Sequence, residues 1–222
     1  MITVHHLEDS RSQRVLWLLE ELGLDYQIER YKRDPKTMLA PESLKKVHPL
    51  GKSPVVVDDG QTLAETGAIV EYLVDRYGEG ALKPAEDTEE RLRYIYWLHF
   101  AEGSMMSLLL LSIVLDRMGN APVPLLLRPA GMLLGGGVKK KFLTPRLDAQ
   151  LEFIETELGR SEWFAGDQFT AADIQMSFPL EALDTRANIG KQYPGIAAYL
   201  KRIHERPDYK TALQRGGPYA YA

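Results

Sequence analysis

Strand signals fill the first 80 residues of this chain and then nearly vanish. A chain divided in this way builds a mixed α/β layer first and a helical part after it, because alternating and 3.6-residue apolar patterns need different packing partners. Ile2 to Leu7 (ITVHHL) reads as a strand. Val15, Leu18, Leu19 and Leu22 recur at helical spacing, with Gly23 as the residue just past the helix end. Tyr26 to Tyr31 is a second strand, and Pro41-Glu42 opens a short helix closed by Lys45-Lys46. Pro54 to Asp58 is strand-like, and Asp59-Gly60 is a hairpin turn into Gln61-Thr62-Leu63. From Gly67, the residues Ile69, Tyr72, Leu73 and Tyr77 form a helical stripe ended by Gly78.

The resulting order, β-α-β-α-β-β-α, is a parallel pair joined by a crossover and followed by a hairpin, which is the thioredoxin-like order. Gly78 to Asp87 (GEGALKPAED) has the composition of a linker. The expected fold is therefore α+β then all-α: a thioredoxin-like domain over 1–79, a linker over 80–87 and a helical domain over 88–222. Thr88 with Glu89 and Glu90 opens a long helix through Trp97 toward Met118, broken by Gly119-Asn120-Ala121-Pro122. Thr144-Pro145 restarts a helix that carries Leu147, Leu151, Ile154 and Leu158 on one face. Thr170-Ala-Ala-Asp173 is a capping box opening a helix that buries Ile174, Phe178 and Leu183. Pro194 to Arg206 is a further helix stopped by Pro207, and Gly135-Gly136-Gly137 reads as a flexible loop.

A net charge of −4 argues against a nucleic-acid partner, which calls for a basic domain or face. The one dense basic run, Lys139-Lys140-Lys141, reads as a solvated helix face. With no cysteine there is no disulfide, thiolate metal site or cysteine nucleophile, so a thiol would have to arrive with the substrate. No basic segment followed by an apolar run marks a secretory signal, so a cytoplasmic location is expected. Met105 to Leu115 is too short to span a bilayer and is expected to be a buried helix. His5 and His6 point to opposite faces of a strand, and neither His99 nor His204 has a histidine one turn on, so no metal site is expected.

Asp9, Ser10, Arg11 and Ser12 crowd the corner between the first strand and the first helix. Ser10 to Gln13 fits the S-x-x-Q capping pattern, worth about 1 kcal/mol. The same hydroxyl, beside the positive end of a helix, would also stabilise a thiolate. A thiol of pKa near 8.5 needs about 2.7 kcal/mol to drop by about two units, which one charge-assisted hydrogen bond and a helix end can supply. In "HPLGKSPVVV", Ser53-Pro54 is a loop serine and a proline at a strand start. In "LAETGAIVEYL", the plain reading makes Glu65 a first-turn acid and Thr66 an N-cap. The functional one has the N–H groups of Thr66 and Gly67 holding a carboxylate while Glu65 meets an ammonium.

In combination, Ser10, Lys52-Ser53-Pro54, Glu65-Thr66 and "FAGDQFTAADI" resemble the cytosolic glutathione transferases, over essentially the whole chain. The spacing from Ser10 to Arg14 is similar to the serine-using theta- and delta-like branch and its bacterial and fungal relatives. The resemblance implies that Ser10 holds the glutathione sulfur as thiolate, with Arg11 adding positive potential. It further implies that Ser53, before a cis Pro54, pairs its backbone with the cysteinyl part. Glu65 and Thr66 would hold the γ-glutamyl end, and Lys52 the glycine carboxylate. A histidine that related enzymes carry before the second helix has no match in "KRDPKTML".

An apolar electrophile would sit between the domains against Tyr94, Trp97, Met105 and Met106, for which a core stripe is the plainer reading. The family also implies a homodimer through the Gly67 to Tyr77 helix and the long helix, with no nucleic acid and no membrane span. Glutathione would be a co-substrate and no further cofactor is implied. Two alternatives stay open: a glutathione peroxidase using the same thiolate, and a non-catalytic ligand-binding module.

Overall fold

The computed structural model describes residues 1–35, 37 and 39–221; Lys36 and Met38 of "KRDPKTML" lie outside the described residues, as does Ala222. Four strands, β1 (Ile2–Leu7), β2 (Tyr26–Tyr31), β3 (Val55–Asp58) and β4 (Gln61–Ala64), form one sheet in the order β2-β1-β3-β4. β1 and β2 are parallel, and the β1–β3 and β3–β4 pairs are antiparallel, which is the thioredoxin-like arrangement. The hairpin joining β3 to β4 turns on Asp59 and Gly60, both at positive φ, as a two-residue turn compatible with strand twist requires.

Helix α1 (Ser12–Glu21) supplies the crossover and ends as its sequence foretells. Gly23 at φ 63° lets its N–H reach the Glu20 carbonyl and the Leu24 N–H reach that of Leu19, a Schellman ending. A short 3₁₀ segment, Glu42–Lys46, stands where the second helix was expected, and α2 (Thr66–Tyr77) covers the sheet after β4.

The second half is helical. α3 (Glu89–Phe100) runs through a widened π turn (Ala101–Met105) into α4 (Met106–Arg117). α5 (Arg128–Val138) continues through a second π turn (Lys139–Leu143) into α6 (Thr144–Leu158). The buried α7 (Ala171–Ala187) begins at the Thr170–Asp173 capping box, and α8 (Pro194–Glu205) and α9 (Pro207–Gly216) follow. Burial pushes the Asp173 carboxyl up to about 6, against the N–H groups of Phe164 and Thr170 that it accepts. One contiguous apolar core joins the sheet, α1, α2 and the helices of the second half other than α5.

Two expectations are corrected. Gly135-Gly136-Gly137 is not a loop but lies inside α5. A Cβ on Gly135 would stand 2.8 Å from the Leu115 carbonyl oxygen, and one on Gly131 2.0 Å from that of Met118, so these glycines let α5 press against α4. The Met105 to Leu115 stretch is only half buried: Leu109 and Leu115 face inward, whereas Leu110 and Val114 are more than half exposed. Pro207 ends one helix but starts another, because proline suits the first turn where its missing N–H has no partner to lose.

Candidate active site

Strand register gathers the motifs. His5 pairs with Val55 and Val55 with Ala64, so the C-terminal end of β1, the N-terminal end of β3 and the C-terminal end of β4 lie side by side. The segments leaving those ends carry Ser10, Ser53 and Glu65 to one end of the sheet.

Ser53 is pinned there. Its hydroxyl donates to the His5 carbonyl at 2.9 Å and accepts the Leu7 N–H at 3.2 Å, and the Ser53–Pro54 peptide is cis. Pro54 is buried and Lys52 exposed. Glu65, exposed, is the N-cap of α2 at φ 70°, one residue earlier than the threonine expected there. This is an unfavourable conformation for a residue with a Cβ and marks a position held by its surroundings. Thr66, in the first turn of the helix, is buried, and the Glu65 side chain makes no capping hydrogen bond to the first N–H groups of this helix.

Ser10 and Ser12 divide the opening corner between them. The Ser10 hydroxyl accepts the Ser12 N–H, the first of α1, at 3.2 Å, although Arg11 is the N-cap residue and the Gln13 side chain does not complete a capping box. Ser12 is fully buried, its hydroxyl 2.7 Å from that of Ser10, 2.9 Å from His6 Nδ1 and 3.2 Å from the Leu7 carbonyl that it donates to. Burial pushes the His6 imidazole down to about 4. The ring is therefore neutral at neutral pH, and a hydrogen bond to the Gly216 backbone engages it as well. Of the two serines, only Ser10 keeps any surface.

The corner is tied to the second half by charge. Arg11 Nη1 donates to Glu102 at 2.8 Å and the fully buried Arg14 donates to the other oxygen of the same carboxylate, as well as to the Gln175 carbonyl. Burial opposes the charge on Glu102, but Arg14 and Arg11 hold its carboxyl below the usual range. Glu102 sits in the π turn between α3 and α4, where the Met106 N–H reaches back to the Ala101 carbonyl. From the far end of the chain, the Ala220 N–H donates to Asp9 at 2.8 Å and the Tyr219 hydroxyl to Glu181 at 2.7 Å, laying the C-terminal segment against this corner. Sequence reasoning missed Glu102, the His6–Ser12 pair and this segment. For His6 the signal was present, a strand histidine on the inward face.

Tyr94, Trp97 and Met105 do not line a cleft. All three are packed into the core at 2% exposure or less, so these pocket expectations are corrected: aromatic rings at helical spacing were serving the core. Met106, the neighbour of Met105, is half-buried. A cleft of about 450 Å³ opens further along α4, between Thr37 of the first half and Ile113, Asp116, Arg117 and Arg186 of the second. Among the described residues, no three histidines, aspartates or glutamates come together as a metal cluster would require.

Residues 1–75 match the family "Glutathione S-transferase, N-terminal domain", and residues 124–207 match "Glutathione S-transferase, C-terminal domain". The chain belongs to the glutathione S-transferase family. It is 40% identical to glutathione S-transferase 3 of Schizosaccharomyces pombe, covering 97% of this chain and 88% of that one. It is 31% identical to glutathione S-transferase 1 of Saccharomyces cerevisiae, over 97% of this chain and 95% of the other. A solved glutathione S-transferase from Actinobacillus pleuropneumoniae superposes with a TM-score of 0.82 at 35% identity, over 99% of this chain and 94% of that one. The glutathione transferase resemblance carried by Ser10, Ser53-Pro54 and Glu65-Thr66 thus agrees with the family of the whole chain.

Proposed function

We propose that this glutathione transferase binds glutathione across the end of the sheet, with the sulfur on the Ser10 hydroxyl and the peptide running toward the α2 N-terminus. Ser10 donates its proton to the sulfur, and the N-terminal end of α1 adds positive potential, so the thiol ionises at neutral pH. The Ser53 backbone pairs with the cysteinyl unit, the N–H groups of Thr66 and Gly67 take the γ-glutamyl carboxylate, Glu65 meets its ammonium, and Lys52 reaches the glycine carboxylate. Arg11 is held by Glu102 and contributes potential rather than a direct bond. The thiolate then attacks an apolar electrophile lying beside Met106 and toward the cleft at Ile113, and the protein supplies position and charge with no covalent intermediate of its own.

One observation carries this reading: the hydroxyl of Ser10, a residue that keeps 6% of its surface exposed, is fixed at a helix N-terminus by Ser12 and stands at the same end of the sheet as the start of α2. Ser10→Ala tests it. Turnover is expected to fall at least tenfold with glutathione affinity within about threefold of wild type, since one hydrogen bond made to a charge is worth roughly 1.5–3 kcal/mol. Unchanged turnover would move the role away from Ser10.

Four further points belong to the proposal. The sequence division into 1–79, 80–87 and 88–222 describes the two functional halves. The homodimer uses α2 and the start of α3, where Leu92, Ile95 and Tyr96 are exposed large apolar side chains. The Glu89–Arg117 helix is long and apolar enough to cross a bilayer, but Tyr94, Trp97, Leu98 and Met105 pack into the core and Glu102 is locked to two arginines, which suits a core helix and not a span. A cytoplasmic location suits a cysteine-free enzyme that borrows its thiol from the glutathione pool.

A further inference from the structure

The tip of the α4–α5 hairpin has a surface that the transferase reaction does not use. Leu125, Leu126, Leu127, Met132, Leu133 and Leu134 are all between 58% and 93% exposed, and Val138 and Phe142 are nearly half exposed. Large apolar side chains in such a run are not the scattered leucines of an ordinary surface.

Charge sets the same region apart. Residues 117–147 hold six cations, Arg117, Arg128, Lys139, Lys140, Lys141 and Arg146, and no aspartate or glutamate, in a chain whose net charge is −4. Asp116, at the edge of the patch, pairs with Lys139, and the Arg146 guanidinium stacks 3.7 Å over the Phe142 ring. Lys140 and Lys141 stay exposed, each seven residues after a leucine of the patch, Leu133 and Leu134, a spacing that keeps them on one side of the helix.

We propose that this tip docks on an anionic phospholipid surface, the leucines entering the headgroup–acyl boundary and the lysines meeting lipid phosphates and carboxylates. Apolar side chains alone would fit a partner protein, and lysines alone a polyanion; the two together on α5 and the turns that flank it fit an interface that is apolar beneath and anionic above. A second copy of this chain fits poorly, because a two-fold contact sets the patch against itself and brings its cations face to face with their own copies. The tip also lies roughly 40 Å along the Glu89–Arg117 helix from the end at which the dimer is proposed.

Flotation of the purified chain with phosphatidylcholine vesicles, with and without phosphatidylserine, tests the proposal. The chain is expected to float with the phosphatidylserine vesicles at low salt, to be released by added salt, and to stay behind with phosphatidylcholine alone. Lys140→Gln with Lys141→Gln should weaken partition about 30-fold, at about 1 kcal/mol per basic residue. Leu126→Ser with Leu133→Ser should weaken it at least tenfold, with transferase activity and gel-filtration volume unchanged in both variants. No flotation, or equal flotation on both vesicles, overturns the proposal. A leucine variant that changes the oligomeric state and floats as before also overturns it, and gives the face to a second copy of the chain.

Discussion

The Ser12 hydroxyl lies 2.7 Å from the Ser10 hydroxyl, at the bottom of the corner between β1 and α1. Ser12 has no exposed surface and cannot meet a substrate, yet it fixes Ser10, the serine proposed to hold the sulfur. It is in turn fixed by a neutral His6, so a residue inside the sheet orients a residue at its edge.

Ser12→Ala removes that support without touching the sulfur. Turnover should drop between about threefold and tenfold, the worth of one neutral hydrogen bond. Steady-state kinetics with glutathione varied will check it, and a wild-type rate would mean that Ser10 needs no help.

Stability should depend on pH through His6. Its folded pKa, about 4, is below the ordinary 6.5, so as pH falls the unfolded chain binds a proton first. The contribution is complete above pH 6.5 and is lost as pH falls toward 4. The loss reaches about 3 kcal/mol at its limit. Urea unfolding across that range should show a shallower decline in His6→Asn than in wild type, and parallel curves would contradict the assignment.

Glu102 neutralises Arg14 where burial makes an unpaired charge costly. Glu102→Gln should lower stability by about 3–5 kcal/mol, whereas Arg11→Ala, which removes the more exposed partner, should cost under about 1 kcal/mol. Equal losses in denaturant titration would mean that the buried pair is not special.

The two neighbouring glycines of α5 should respond in opposite directions. Gly135→Ala places a methyl against the Leu115 carbonyl and should cost about 1–3 kcal/mol. Gly136→Ala meets nothing within 4 Å and should gain up to about 1 kcal/mol from helix propensity. Thermal melting of the two variants distinguishes packing from flexibility in this run.

Features decided by neighbouring residues were legible in the sequence. The Leu22–Gly23–Leu24 ending, the Asp59-Gly60 turn and the Thr170–Asp173 box each close a hydrogen bond within a few residues, and each stands where the pattern put it. Features decided across the fold were not. Nothing around Glu102 marks it as the partner of residues some ninety positions earlier, and the glycines of α5 look like a hinge until α4 is laid against them. The site motifs were recognised in combination, because register brings together ends of strands that lie far apart in the chain. Trp97 and Tyr94 misled for the converse reason: an aromatic stripe has the same spacing whether it faces a core or a cleft.

The most direct measurement is the ultraviolet thiolate absorbance of bound glutathione, titrated against pH in the wild type and in Ser10→Ala. The wild-type complex should ionise well below the value of about 8.5 for a free thiol, and the variant should bind glutathione yet ionise close to it. A variant that keeps the low transition would contradict the account, since the charge on sulfur would then owe nothing to Ser10.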